Sequence, residues 1–228
     1  MERELVLPVA QRLIERLAPA CNDIQLAGSL RRGKQQVKDI EICAVPIFEC
    51  QADLFGGMPA LTERTPGLDW VLAQAVAEDV LTWDTQTRRN GLLYKRLIVT
   101  EIGCVVELFL ASSANFGVTF AIRTGSAEFA KAFVKPRQWD GGLLPDNMAI
   151  AQGHLWRFRS SAAAFAYRRA AKEGVTQGRA LLKQATLIVC ATEEAFFEEI
   201  GLPVLPPEKR EEGALDWLKR SNAYGGSR

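Results

Sequence analysis

The stretch between residues 24 and 41 constrains this chain most, because its pattern predicts a strand, a tight turn, a short helix and a second strand. Residues 24–27 are mostly apolar and run into Gly28 and Ser29, which suits a strand that feeds a turn. Gly28 has no Cβ, so the backbone there can come close to a ligand. Ser29 can cap the helical turn or direct its hydroxyl at a ligand, which makes the turn a candidate binding element.

Three cations follow this turn, namely Arg31, Arg32 and Lys34. Peptide N–H groups at the start of a helix attract anions, and nearby cations add to that attraction. The turn therefore predicts a pocket suited to a polyphosphate. For Arg31 two interpretations stay open, a phosphate contact or a solvated surface side chain.

Two acids, Asp39 and Glu41, stand two residues apart in the predicted second strand, and side chains at i and i+2 of a strand share one face. Ile40 and Ile42 then face the core. Two carboxylates on one face repel each other and raise each other's pKa unless a cation lies between them. Hard oxygen ligands beside a phosphate pocket indicate Mg²⁺. The alternative is a surface turn followed by a strand with two solvated acids.

A third acid, Glu107, interrupts an otherwise apolar strand predicted over residues 104–110, which we expect to pair with a strand over 94–100. Burying a lone carboxylate is costly or shifts its pKa unless another group pairs with it. Glu107 is therefore either a paired structural residue or part of the acidic site. Downstream stands Thr-Gly-Ser at residues 124–126, followed by a predicted helix that extends to about residue 135.

These motifs together resemble family X DNA polymerases, the polymerase β group of the nucleotidyltransferase superfamily. The resemblance rests on Gly-Ser-x-Arg-Arg-Gly at residues 28–33, on the paired acids, and on a carboxylate 18 residues before the glycine of Thr-Gly-Ser. The run at 192–211 also resembles the end of the family's C-terminal subdomain. The resemblance implies that Asp39, Glu41 and Glu107 are catalytic and bind two Mg²⁺ ions, with Mn²⁺ as an alternative. The family mostly uses Asp, so two Glu are a departure.

The resemblance also implies the contacts to a nucleotide. Ser29 and Arg32 would hold the β- and γ-phosphates, Gly28 and Gly33 would permit the turn, and Arg31 is a further candidate phosphate contact. A sugar and base pocket would be formed by Ile122, Arg123, Thr124 and Gly125. The first two of these stand where the family often has two aromatic residues, which predicts poor discrimination between ribo- and deoxynucleotides.

The implied fold is α+β. A polymerase β-like nucleotidyltransferase palm, with a mixed sheet and helices on one side, would span residues 1–135. A small α+β C-terminal subdomain for nucleotide and DNA binding would span 136–220, and residues 221–228 are predicted to form a disordered tail. Only 27 residues precede Gly28, so we expect a reduced form with palm and C-terminal subdomain alone.

Periodicity predicts further elements along the chain, with Pro8 in the first turn of the first helix. The predicted elements are helices over residues 6–18, 68–82 and 160–172 and strands over 143–150 and 154–158.

The net charge is only +1, so no global field draws the molecule to nucleic acid. Residues 88–183, however, hold 15 Lys/Arg and 6 Asp/Glu, a balance of +9, which predicts the nucleic-acid-facing region. The five cysteines form no C-x-x-C pair and are odd in number, which favours a reducing, cytoplasmic compartment. Neither a signal peptide nor a membrane-spanning apolar run is visible, so no membrane partner is expected.

We therefore expect a small family X DNA polymerase that adds nucleotides from a nucleoside triphosphate to a 3′-hydroxyl and releases pyrophosphate. Its DNA partner would be a gapped duplex or a primer–template, as in DNA repair. A second interpretation is a nucleotidyltransferase that works without a template or acts on RNA or a small molecule. A third is a catalytically inactive nucleic-acid-binding relative. The pattern does not identify protein partners.

Overall fold

The computed structural model describes residues 1–47, 66–87, 90–211, 213–216 and 218. These residues form an α+β protein that divides into two compact units, residues 1–112 and 113–228. The predicted tail at 221–228 lies outside the described residues. The predicted α+β class is confirmed.

The first unit is built around a five-stranded mixed sheet with the order β1-β2-β5-β4-β3. Strands β2 and β5 run parallel, whereas the other neighbouring pairs run antiparallel. The elements of this unit are α1 (Arg3–Leu17), β1 (Cys21–Leu26), α2 (Gly28–Arg31), β2 (Asp39–Pro46), α3 (Pro66–Ala77), β3 (Leu81–Trp83), β4 (Tyr94–Val99) and β5 (Cys104–Leu110).

One face of this sheet forms the core of the first unit. Alternation along β2 and β5 directs Ile40, Ile42, Val106 and Leu108 to this face, where each is at most 2% exposed. Side chains of α1 and α3 join the same buried cluster. Burying an aliphatic side chain of this size stabilises the fold by roughly 1.5–3 kcal/mol. The polar residues between them are thereby directed to the opposite face.

Helix α1 begins at Arg3, three residues before the predicted start. The terminal amino group donates to the carbonyl of Val37 at 2.7 Å, and the Arg3 N–H donates to the carbonyl of Gln35 at 2.8 Å. These bonds hold the start of the chain against the segment that precedes β2. Pro8 consequently lies inside the helix rather than in its first turn, and its ring is exposed.

The second unit contains a three-stranded antiparallel sheet with the order β6-β7-β8. Its core includes four buried phenylalanines in edge-to-face contact, Phe129, Phe133, Phe196 and Phe197. The elements of this unit are α4 (Phe116–Thr124), α5 (Ala127–Val134), β6 (Met148–Ala151), β7 (His154–Arg157), α6 (Ser161–Glu173), α7 (Val175–Leu182), β8 (Thr186–Ile188) and α8 (Glu193–Glu199).

The boundary between the units differs from the one predicted at residue 135. It falls at Ser112 because α4 and α5 contribute Val118, Phe129 and Phe133 to the core of the second unit. The predicted strand over 143–150 is also shorter, since β6 begins at Met148 and the preceding residues form a turn. Residues 143 and 144 are buried but do not belong to the sheet. Their apolar side chains gave the sequence pattern from which a longer strand was predicted.

Candidate active site

The predicted acids lie on two neighbouring strands of the five-stranded sheet. In the parallel ladder of β2 and β5, Glu41 is the direct partner of Glu107, and Asp39 is the partner of Val105. Paired residues in a ladder and residues two apart on a strand share one face. Asp39, Glu41 and Glu107 therefore share the face opposite the core, and all three are half-buried. The backbone therefore places the three acids on one face of the sheet.

Glu107 is held by two side chains of the neighbouring strand β4. The hydroxyl of Tyr94 donates to Oε1 of Glu107 at 2.6 Å, and Nη1 of Arg96 donates to the same oxygen at 3.1 Å. Within the described part of the chain, Oε2 of Glu107 receives no hydrogen bond. Burial and the bond to Glu107 raise the pKa of Tyr94, so its hydroxyl keeps its proton and stays a donor.

Arg96 is fixed in turn by a buried acid, Asp84, which is 6% exposed. Nε of Arg96 donates to Oδ2 of Asp84 at 2.6 Å. The other carboxylate oxygen, Oδ1, accepts the backbone N–H groups of Gln86 at 2.9 Å and Thr87 at 3.4 Å. Burial alone would raise the pKa of Asp84, but these bonds outweigh it and lower the pKa. Asp84 is therefore an ionised anchor for the guanidinium.

Asp39 carries the electrostatic signature of an acidic cluster. Burial first, and then the charge of Glu107, raise the pKa of the Asp39 carboxyl above its ordinary value, while Lys38 and Arg96 act against this rise. A raised pKa means that the folded protein holds the negative charge unfavourably. A bound cation would relieve that cost, so the donor chemistry fits a hard divalent ion.

The three carboxylates nevertheless are not gathered around one point. Among the described residues, no group of three His, Cys, Asp or Glu side chains lies close enough together to hold a metal ion. The strand register thus places the three acids on one face, whereas Oε1 of Glu107 is engaged by Tyr94 and Arg96. The two-metal site stays a prediction.

The glycine–serine turn packs directly against the acidic strand. Gly28 has φ of +59°, in the left-handed region, and a Cβ built on it would overlap Oε2 of Glu41. The N–H of Ala27 donates to the carbonyl of Glu41 at 2.8 Å, which ties the turn to β2. Glycine adopts this backbone angle without strain, and a Cβ at position 28 would displace the carboxylate of Glu41.

The predicted phosphate pocket is represented by a single helical turn, since α2 has only four residues. The Oγ atom of Ser29 is buried and has no hydrogen-bond partner in the described part of the chain. Arg31 and Arg32 are half-buried, whereas Gly33, with φ of +72°, and Lys34 are exposed. A buried hydroxyl without a partner is costly, and an anionic oxygen bound at this turn would satisfy it.

The predicted sugar and base residues belong to the second unit. Ile122, Arg123 and Thr124 form the last turn of α4, and Gly125 is its C-terminal cap. Arg123 is exposed and Ile122 packs against the core of that unit, whereas Thr124 has no exposed surface. Of the four, Thr124 therefore presents no side-chain surface to a ligand in this conformation.

Asp84, Tyr94 and Arg96 are site residues that the sequence reasoning missed. For Tyr94 and Arg96 a signal was present, because a hairpin turn near residues 100–103 pairs Arg96 with Glu107 across the ladder. Asp84 gave no such signal, since its contact with Arg96 depends on the pairing of β3 with β4.

No protein-family model matches this chain. No curated protein matches it either. Among the described residues, no helix is both long enough and apolar enough to cross a membrane.

Proposed function

We propose that this chain is a metal-dependent nucleotidyltransferase with a polymerase β-like palm, and that it acts as a small family X DNA polymerase. The observation that carries the proposal is the ladder pairing of Glu41 with Glu107, with Asp39 on the same face and the Gly28 turn packed against Glu41. Three acids on adjacent strands beside a glycine–serine turn match the motif order on which the resemblance rests.

The carboxylates of Asp39, Glu41 and Glu107 are the residues that would hold two Mg²⁺ ions. When bound, such ions would lower the pKa of an attacking hydroxyl and offset the charge that develops on the phosphates. The acidic residues supply only oxygen donors, which Mg²⁺ prefers. The raised pKa of Asp39 supports this assignment, because it marks negative charge that the fold alone leaves poorly compensated.

The chain's own residues would orient the reactants. Ser29 and Arg32 would hold the β- and γ-phosphates of a nucleoside triphosphate at the turn, and the buried, unpartnered Oγ of Ser29 in the described part of the chain supports that role. Glu107 would also accept the proton of the 3′-hydroxyl, as the resemblance implies. The hydroxyl would then attack the α-phosphate in line, and pyrophosphate would leave.

A catalytically inactive nucleic-acid-binding relative is the second candidate. The observation in its favour is that the described carboxylates do not converge on a common metal position. It would share the DNA partner but would transfer no nucleotide.

One assay separates the candidates. Labelled ribo- and deoxynucleoside triphosphates are offered with a gapped duplex, a single strand or an RNA, in the presence of Mg²⁺ or Mn²⁺. Templated extension supports the polymerase, and untemplated extension or extension of RNA supports the broader nucleotidyltransferase. Asp39→Asn and Glu41→Gln should abolish either activity, whereas Glu101→Gln, which removes an exposed acid of the same unit, should not. Wild-type protein that binds the nucleic acids but never extends them would favour the inactive relative.

A further inference from the structure

We infer that Tyr94 and Arg96 are positioning residues that engage Oε1 of the Glu107 carboxylate and thereby leave Oε2 to bind a divalent cation. This inference rests on the proposed function, because it assigns the neighbours of a proposed metal ligand. Neither side chain belongs to the motifs from which the acidic site was predicted.

Tyr94 and Arg96 lie two residues apart on β4, so their side chains share a face, and Arg96 is the direct ladder partner of Glu107. Both donate to the same oxygen, Oε1, at 2.6 and 3.1 Å. Two donors on one oxygen fix the plane of a carboxylate and leave the other oxygen available. Hydrogen-bonding partners of this kind orient metal ligands in proteins.

Arg96 is held in place by a second acid in addition to Glu107. Its guanidinium joins two carboxylates, with Nε on Asp84 at 2.6 Å and Nη1 on Glu107. Asp84 is almost fully buried and is itself bound by the N–H groups of Gln86 and Thr87. The planar fork of arginine can span two acids in this way, whereas the single ammonium of lysine cannot. Arg96 is thus anchored independently of Glu107.

The positive charge of Arg96 acts against cation binding at Glu107. Arg96 places a positive charge beside Glu107, and that charge would repel a cation bound to the same carboxylate. Asp84 binds the same guanidinium, so its negative charge compensates part of the positive charge of Arg96. This reduces the repulsion between Arg96 and a cation bound to Glu107. The inference therefore requires that orientation outweighs repulsion, and this requirement can be tested directly.

The experiment measures Mn²⁺ binding to the full chain by electron paramagnetic resonance of the free ion, without nucleotide. Glu107→Gln should abolish Mn²⁺ binding at this site. Tyr94→Phe removes one hydroxyl, and we expect it to lower the Mn²⁺ affinity of the same site about 10-fold. Arg96→Gln should weaken it by a similar factor, and Arg96→Lys should fall between wild type and Arg96→Gln. In extension assays kcat should fall while KM for the nucleotide stays unchanged, since neither residue belongs to the Gly28 turn at which the phosphates are proposed to bind.

Matched controls separate orientation from folding. Tyr167→Phe removes a hydroxyl in the second unit, and Arg12→Gln removes an exposed ion pair with Glu101 in the first. Both should keep wild-type Mn²⁺ affinity. Asp84→Asn should weaken Mn²⁺ binding only when Arg96 is present. The double variant Asp84→Asn with Arg96→Gln should therefore have the same Mn²⁺ affinity as Arg96→Gln alone. Thermal melting shows whether each variant is folded. If an Arg96 variant does not fold, the Mn²⁺ affinity of Tyr94→Phe decides the outcome.

The possible outcomes distinguish this inference from the proposed function. Wild-type affinity in Tyr94→Phe and Arg96→Gln would overturn the positioning role, while nucleotide transfer by the wild type would leave the proposed function intact. Tighter Mn²⁺ binding in Arg96→Gln would overturn it as well, because the guanidinium would then compete with the cation. If the wild type neither binds Mn²⁺ nor transfers nucleotides, both proposals fail together.

Discussion

Gly28 lies so close to the carboxylate of Glu41 that any side chain at position 28 would displace that carboxylate. A Cβ at Gly28 would overlap Oε2 of Glu41 and lie 2.6 Å from its Cδ. The backbone angle at Gly28, φ of +59°, is itself one that L side chains rarely adopt. The turn and the strand therefore pack closely against each other, and two separate effects favour glycine at position 28.

Gly28→Ala should destabilise the protein through both effects. The left-handed backbone costs about 1–2 kcal/mol for alanine, and displacement of Glu41 adds to this, so we expect a total loss above about 2 kcal/mol in urea unfolding. Gly33→Ala is the matched control, because Gly33 also has a positive φ, of +72°, but no described atom lies within 4 Å of the place that its Cβ would occupy. It should cost only the backbone term, and equal losses in the two variants would contradict the steric argument.

Asp39→Asn should stabilise the metal-free fold while removing activity. Burial and the charge of Glu107 raise the pKa of Asp39, which shows that its ionised form is held unfavourably. An amide at this position carries no charge, so the Tm in EDTA should rise. Mg²⁺ should raise the Tm of the wild type but not of the variant, and nucleotide transfer should fall by at least about 100-fold. A lower Tm in EDTA would show that Asp39 stabilises the fold instead.

Arg210 and Glu193 form a buried ion pair in the second unit, at 1% and 4% exposure of their side chains. Nη2 of Arg210 donates to Oε2 of Glu193 at 2.9 Å, and Nε donates to the carbonyl of Leu205 at 2.8 Å. Arg210→Met removes the charged partner of a buried carboxylate and should cost about 3–5 kcal/mol in urea unfolding.

Two further variants check this interpretation of the ion pair. The double variant Arg210→Met with Glu193→Leu should recover most of the loss, because neither charge then remains buried alone. Arg12→Gln breaks the exposed pair with Glu101 and should cost less than about 1 kcal/mol. A small effect of Arg210→Met would indicate that water reaches the pair.

Pro8→Ala should stabilise the protein, because Pro8 lies inside α1 and cannot donate to the carbonyl of Glu4. The gain in the helix is offset in part by the more flexible unfolded chain, and we expect a net increase of about 1–2 kcal/mol in unfolding free energy. Gln11→Ala on the exposed side of the same helix should change stability by less than about 0.5 kcal/mol. A loss of stability on Pro8→Ala would show that the ring itself packs favourably.

Local pattern was sufficient wherever a structure depends on neighbours along the chain. The period of two around Ile40 predicted one strand and the common face of Asp39 and Glu41, and the apolar run around Val106 predicted the strand that carries Glu107. That Glu107 joins the other two acids was expected only from the resemblance. Helix α1 was predicted within three residues at its start because its apolar positions recur at helical spacing. The start at Arg3 was not predicted, because the hydrogen bond from the Arg3 N–H to the carbonyl of Gln35 joins distant parts of the chain.

Partners across the sheet and between helices were not predictable in this way. Nothing local indicates that Asp84 binds Arg96, since that contact requires β3 to pair with β4. The boundary at Ser112 likewise depends on Phe129 and Phe133 packing against Phe196 and Phe197 from a segment roughly sixty residues later. Contacts of this kind are selected by the packing of the whole core, and a short window of sequence carries no information about them.

Local rules of the sequence predict that Asp39 and Glu41 share one face of a strand that follows a glycine turn, because strand alternation acts between near neighbours. The place of Glu107 beside them was expected only from the resemblance, because the pairing of two distant strands is not a local property. Only the tertiary structure decided which oxygen of Glu107 is engaged and by which side chains, because hydrogen bonds between strands depend on how distant segments are brought into register. The local rules thus define a set of candidate ligands, and the non-local packing defines how that set is oriented.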